Sequence, residues 1–96
     1  MSAYVIANVD ITDPETFAEY RKGVQASLDP FGGRFLARGG RAEALEGSYA
    51  VKRMVIIEFP DYGRAKAWWE SPGYRPLLEM RQRSARTDLV VVEGLQ

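Results

Sequence analysis

Along the first residues of the chain, apolar side chains fall on every second position. Ala3, Val5, Ala7, Val9 and Ile11 share one face, and Tyr4, Ile6, Asn8 and Asp10 share the other. A period of two predicts a β-strand over 3–11 with one wholly apolar face. The period then changes. Phe17, Tyr20, Val24 and Leu28 recur at helical spacing up to about Asp29. Asp13 can cap the free amides, Pro14 suits the first helical position, and Glu15 favours the positive end of the helix. Pro30 disfavours helical geometry at Asp29, and Gly32 and Gly33 permit the reversal that follows.

A short strand candidate sits between two glycine pairs, Gly32-Gly33 and Gly39-Gly40. A second, over 51–59, follows a spacer at 41–49 that is longer than a tight turn and contains Gly47. Setting Arg38 opposite Met54 places Leu36 opposite Ile56 and Arg34 opposite Glu58. Phe35, Ala37, Val55, Ile57 and Phe59 then share one face, and Arg34, Leu36, Arg38, Met54, Ile56 and Glu58 the other. A slip of one residue mixes the two sets.

Asp61 caps a second helix whose apolar side carries Tyr62, Ala65, Trp68 and Trp69. Two adjacent tryptophans cannot face one way on a helix. Pro72 interrupts it, and Ser71-Pro72 can start a new helix with Tyr74, Leu77, Leu78 and Arg81 on one broad face. The run 88–93 closes the chain as a strand whose unbroken apolar centre predicts burial on both faces.

The order is β-α-β-β-α-β, an α+β arrangement in one domain spanning 1–96. Right-handed crossovers put both helical layers on one face of a four-stranded antiparallel sheet. Tyr4, Ile6, Leu36, Met54, Ile56, Val90 and Val92 are then left on the opposite face. That patch is larger than a monomer ordinarily exposes, so a homodimer with face-to-face sheets is expected.

Composition narrows the chemistry. Hydrophobic residues make up 46% and charged residues 27%, which excludes a disordered chain. Lys+Arg and Asp+Glu both number 13, and no dense basic run occurs, so a nucleic-acid partner is not expected. No apolar run reaches about 18 residues, so no membrane span is expected. Met1-Ser2-Ala3 leads straight into a strand without a signal-peptide core, which makes a cytoplasmic protein the expectation. There is no Cys and no His. Thiolate nucleophiles, zinc knuckles, a Ser-His-Asp triad and an imidazole metal or haem ligand are therefore excluded. A metal would need carboxylates and carbonyls, and no such cluster appears. No Walker or dinucleotide phosphate loop is present either. No cofactor is expected.

Asp13-Pro14-Glu15, Gly32-Gly33-Arg34-Phe35, Arg38-Gly39-Gly40, Glu46-Gly47, Ile57-Glu58-Phe59-Pro60, Ser71-Pro72-Gly73-Tyr74 and Val92-Glu93-Gly94, in this element order, resemble the domain-of-unknown-function 1330 (DUF1330) family. The resemblance covers nearly the whole chain. It implies a ferredoxin-like protein of the dimeric α/β-barrel superfamily. Relatives in that superfamily include cofactor-free monooxygenases, muconolactone isomerases and haem-degrading proteins; the missing His counts against the last. The family itself implies no activity.

Two charged residues stand out as catalytic candidates. On the register above, Arg38 and Glu58 share an apolar face, where each needs a partner. In the functional reading Arg38 binds a carboxylate or enolate and Glu58 moves a proton. In the structural reading both join Arg34 in an ion network across the dimer interface. Tyr20, Trp69 and Tyr74 are candidate walls of a ligand pocket, or simply core. Asn8 can polarise a substrate carbonyl or satisfy a neighbouring strand. Arg81 can bind an anion or complement the end of its helix.

Three functional classes follow. One is a cofactor-free enzyme, monooxygenase- or isomerase-like, acting on a small aromatic or enolisable metabolite. It predicts a Glu58 of raised pKa beside an open pocket. The second is a non-catalytic small-molecule binding dimer, with an open pocket and paired charges. The third is a structural or interaction protein with an incidental pocket.

Overall fold

The computed structural model describes residues 1–95. The alternation at the start of the chain becomes β1 (Ala3–Ile11), and the helical stripe becomes α1 (Pro14–Leu28), closed by a 3-10 turn over Asp29–Phe31. There follow β2 (Arg34–Arg38), β3 (Arg53–Phe59), α2 (Tyr62–Glu70), α3 (Arg75–Ser84) and β4 (Ala85–Glu93). The strands lie in the order β2-β3-β1-β4, and every pairing is antiparallel. This is the ferredoxin-like α+β arrangement, with the helices stacked on one face of the sheet.

Local chemistry sets the helix starts. The Asp13 carboxylate accepts from the Thr16 amide at 3.3 Å and from the Thr16 hydroxyl at 2.7 Å. Asp61 accepts from the Arg64 amide at 2.7 Å. Each satisfies an amide that the first helical turn leaves free. The helices bury Phe17, Tyr20, Val24, Leu28, Ala65, Trp68 and Leu78 against Ala3, Val5, Ala7, Val9, Ile57 and Phe59 of the sheet. Trp68 lies 4.1 Å from the Tyr74 ring and 5.6 Å from the Phe59 ring, and its indole N–H donates to Ser27 Oγ at 3.0 Å. Truncating such a residue to Ala costs about 3–5 kcal/mol. Its neighbour Trp69 turns outward, as adjacent helical positions require. Where α1 meets α3, a Cβ on Gly23 would come within 2.9 Å of a terminal methyl of Leu77, which would have to shift to admit it.

Two expectations need correction. The first is the register of the central hairpin. Arg34 does pair with Glu58, and Phe35 with Ile57. The ladder then slips: Ala37 pairs with Ile56 and Arg38 with Val55. Leu36 is the extra residue of a β-bulge. Beyond it every side chain changes face, so Arg38 leaves the open face for the helix side and Ala37 does the reverse. The second is β4. It starts at Ala85 because α3 runs straight into it, and the Ser84 carbonyl accepts from the Thr12 and Asp13 amides at 2.8 and 3.0 Å. Leu89 and Val91 pack toward the core, but Val90 is 57% and Val92 46% exposed. Its apolar run is an edge strand whose outer face is open in the monomer.

Candidate functional site

The helix face of the sheet carries more than core. In β3, Arg53 has the same parity as Val55 and Ile57, and it lies opposite Val9. The bulge brings Arg38 to the same side. There its guanidinium stacks over the Phe35 ring at 4.1 Å and donates to the Arg21 carbonyl of α1 at 3.1 Å. Without the bulge, residues three apart in a strand face opposite ways and neither contact forms. Arg53 donates from Nη2 to the Arg38 carbonyl at 3.4 Å. Its guanidinium also lies against Gly39, where φ is +77° and a Cβ would collide with it. Glycine at 39 thus serves both the turn and the seat of Arg53.

These side chains surround a cavity of ≈ 40 Å³ between the sheet and the helices. Val5, Ala7, Val9, Phe17, Val55 and Ile57 form its apolar wall. Tyr20, Arg21, Arg38, Arg53 and Arg81 are its polar lining. A shallower basin of ≈ 300 Å³ shares Arg21 and Arg38 with it and opens to solvent beside Ala18 and Lys22.

The electrostatics are one-sided. Among the described residues, the ion pairs are Lys22–Glu19, Arg34–Glu58 and Arg64–Asp61. Among the described residues none of the four lining arginines has a carboxylate partner, and no carboxylate lines the cavity. Burial, then Arg21, pushes the Arg38 guanidinium below its usual range. Burial, then Arg21 and Arg38, does the same to Arg53. Arg53 Nε is buried with no hydrogen-bond partner. An unpaired charged donor beside like charges is costly. Arg81, 7% exposed, donates from Nε to the Tyr74 hydroxyl at 3.3 Å, and that hydroxyl lies 2.8 Å from the Tyr20 hydroxyl. Burial first, then Tyr74, raises the titration of Tyr20 far above its ordinary range, so it stays protonated.

The sequence-derived candidates are dispersed. Tyr20 and Arg38 line the cavity. Tyr74 stands behind Tyr20, wholly buried. Trp69 lies outside it, flanking two depressions along β4. Asn8 is on the open face, where its amide donates to the Ala50 carbonyl at 2.9 Å and accepts from the Lys52 amide at 2.8 Å. It pins the incoming loop to β1. Glu58 is also on the open face. It takes Arg34 Nη2 at 2.6 Å and Nε at 2.8 Å, and the Arg34 hydrogen bond holds its carboxyl below the usual range. The expected Arg38–Glu58 pair therefore does not form, because the bulge sends the two residues to opposite faces. Arg53 and Arg21 are additions. Parity with Val55 and Ile57 signals the first. The second is an exposed residue one helical turn beyond Phe17 and three before Val24, at the margin of the buried stripe of α1.

Comparison with known proteins adds the following. The model of the family described as a domain of unknown function (DUF1330) matches residues 2–95. No curated protein matches the chain at a significant level. A protein of unknown function from Rhodopseudomonas palustris is similar in structure, with TM-score 0.78 and 18% identity over 99% of this chain and 83% of that one. SnoaB, a cofactor-independent oxygenase from Streptomyces nogalater, superposes with TM-score 0.68 and 13% identity, covering 99% of this chain and 94% of its own. A dimeric ferredoxin-like protein of unknown function from Jannaschia sp. CCS1 gives 0.65 and 15% over 98% and 100%. At such identities the likeness is one of fold.

Proposed function

The chain belongs to the DUF1330 family, and we propose that it binds a small organic carboxylate or enolate in the cavity under α1 and α3. One observation carries this reading: four arginines with no carboxylate partner among the described residues converge on a mainly apolar cavity, and one of them keeps a buried N–H unsatisfied. An anion on Arg38 and Arg53 would satisfy that donor and neutralise the cluster. The cavity size bears on the rest of the ligand. About 150 Å³ is needed to enclose a benzene ring, against ≈ 40 Å³ here. A ligand of six heavy atoms, aliphatic or aromatic, would therefore place only its carboxylate end in this space and extend into the ≈ 300 Å³ basin that shares Arg21 and Arg38.

The same lining limits the chemistry. Proton abstraction needs a base poised near working pH. The cavity offers arginines and a firmly protonated tyrosine. A reaction here would rest on arginine stabilisation of an enolate rather than on a protein carboxylate. The fold shared with a cofactor-independent oxygenase is compatible with that, as analogy only.

The test compares butanoate with butanamide, equal in shape and different in charge, by NMR-detected titration of the full chain. Butanoate should shift the amides around Arg21, Gly39 and Arg53, and Arg38→Met should remove the effect. Equal binding of butanamide would overturn the reading.

The second element of the proposal is a homodimer joined through the open sheet face. Tyr4, Ile6, Met54, Ile56, Val90 and Val92 line that face, and the last two are about half exposed in the monomer. Packing two such faces together would bury most of this apolar surface. The Jannaschia protein is itself described as dimeric.

A further inference from the structure

We propose that the Tyr20 hydroxyl is the specificity-determining donor of this cavity, and that it selects a short 2-oxo acid over a plain carboxylate. This rests on the anion reading above and deepens it. The inference comes from counting protons along the chain Arg81–Tyr74–Tyr20.

A guanidinium can only donate, so the Tyr74 oxygen accepts from Arg81 Nε. The Tyr74 hydroxyl is wholly buried, and among the described residues its one other partner is the Tyr20 hydroxyl at 2.8 Å. Were Tyr20 the donor in that pair, the Tyr74 proton would be buried with no acceptor. Native interiors rarely tolerate that. Tyr74 therefore donates to Tyr20. The Tyr20 oxygen is then an acceptor in that bond, and its own proton is left over. No acceptor among the described residues takes it, and Tyr20 lines the cavity. Its O–H is left to point at whatever occupies the cavity.

Two further facts agree. Tyr20, Arg38 and Arg81 line the same cavity, and the charges of both arginines act on the Tyr20 hydroxyl. Burial keeps it protonated, so it donates and does not act as a base. A ligand with its carboxylate on Arg38 and Arg53 meets this donor with its next polar group. In so small a space that group is close to the carboxylate. It must be an acceptor, and a carbonyl at the 2-position meets the requirement. A site built to donate a hydrogen bond rejects the analogue that cannot receive it.

The experiment measures the ratio of affinities for 2-oxobutanoate and butanoate, by NMR titration of the full chain and its variants. Wild type should prefer the 2-oxo acid by about tenfold, the effect of one good hydrogen bond. Tyr20→Phe should bring the ratio near one while butanoate still binds. Tyr74→Phe, which frees Tyr20 from its orienting neighbour, should lower the ratio in part. A merely structural Tyr74 would weaken both ligands alike and leave the ratio unchanged, which would overturn its positioning role. Equal affinities in wild type, or a preference that survives Tyr20→Phe, would overturn the inference and leave the anion reading standing. Failure of the anion reading is separate: butanamide would then bind as well as butanoate.

Discussion

Replacing Arg53 by Met should make the free protein more stable and the anion site weaker. Met has a similar reach and no charge, and it adapts to irregular space. The exchange removes the buried Nε that has no partner, a group whose desolvation costs about 1–3 kcal/mol. It also removes repulsion from Arg21 and Arg38, the two neighbours that push its titration down after burial. Against this stands the bond from Nη2 to the Arg38 carbonyl, long at 3.4 Å and worth no more than about 1 kcal/mol. The balance favours the variant by about 1 kcal/mol. In a domain of this size that raises Tm by about 4–8 °C. Butanoate should lose one charge-assisted contact, about 1.5–3 kcal/mol, or roughly ten- to hundredfold in affinity. Thermal melts must be run at one protein concentration, because dimerisation would make Tm depend on it. A fall in Tm of similar size would refute the reasoning: Arg53 would then be a structural tie between β2 and β3.

Two further predictions bear on the other face of the sheet. Ile56→Asp places a charge at the centre of the proposed dimer contact, where burial costs several kcal/mol; light scattering should show dissociation or melts should show unfolding, and a wild type that is already a stable monomer removes the premise. Glu58 has a lowered folded pKa, so its contribution to stability is present above the ordinary carboxylate value of about 4.3 and is lost as pH falls through the lowered one. Glu58→Gln should therefore melt lower than wild type near neutral pH, converge with it in acid, and bind butanoate unchanged; loss of binding in that variant would bring Glu58 back into the site.

Much of the fold was legible because its signals are local. The period of two in β1, the stripe of α1, the aspartate caps and the break at Pro72 each depend on residues within a turn or two of one another. The hairpin register does not. The bulge at Leu36 carries no glycine or proline to mark it, and the residues on both sides are plausible in an unbroken ladder. What differs is what Arg38 meets on either face: Phe35 and the Arg21 carbonyl on one, the largely apolar open face of the sheet on the other. One extra residue moved Arg38 from the sheet's open face to the cavity and separated it from Glu58. Tyr20 was legible as a candidate, since its helical stripe faces inward whatever the register. The role of Tyr74 was not, because the proton order between two hydroxyls depends on Arg81, seven residues along the chain.

The distribution of charge weighs against an incidental pocket. The chain has as many acidic as basic residues, yet four arginines gather at one cavity and no carboxylate joins them. Packing does not require this. A methionine or leucine would fill the place of Arg53 without an orphaned donor, and replacement of buried charges by apolar groups of similar volume is often stabilising. Nor does folding require Arg38 to lie inward, since an unbroken hairpin would leave it on the open face. The bulge turns Arg38 toward the cavity, and the glycine of positive φ at 39 makes room for the Arg53 guanidinium beside it. On the proposed reading such an arrangement lowers the stability of the free protein, and a bound anion would compensate it. The compensation is the binding energy, and its loss in Arg53→Met alongside a gain in Tm is the signature that separates a ligand site from a structural void.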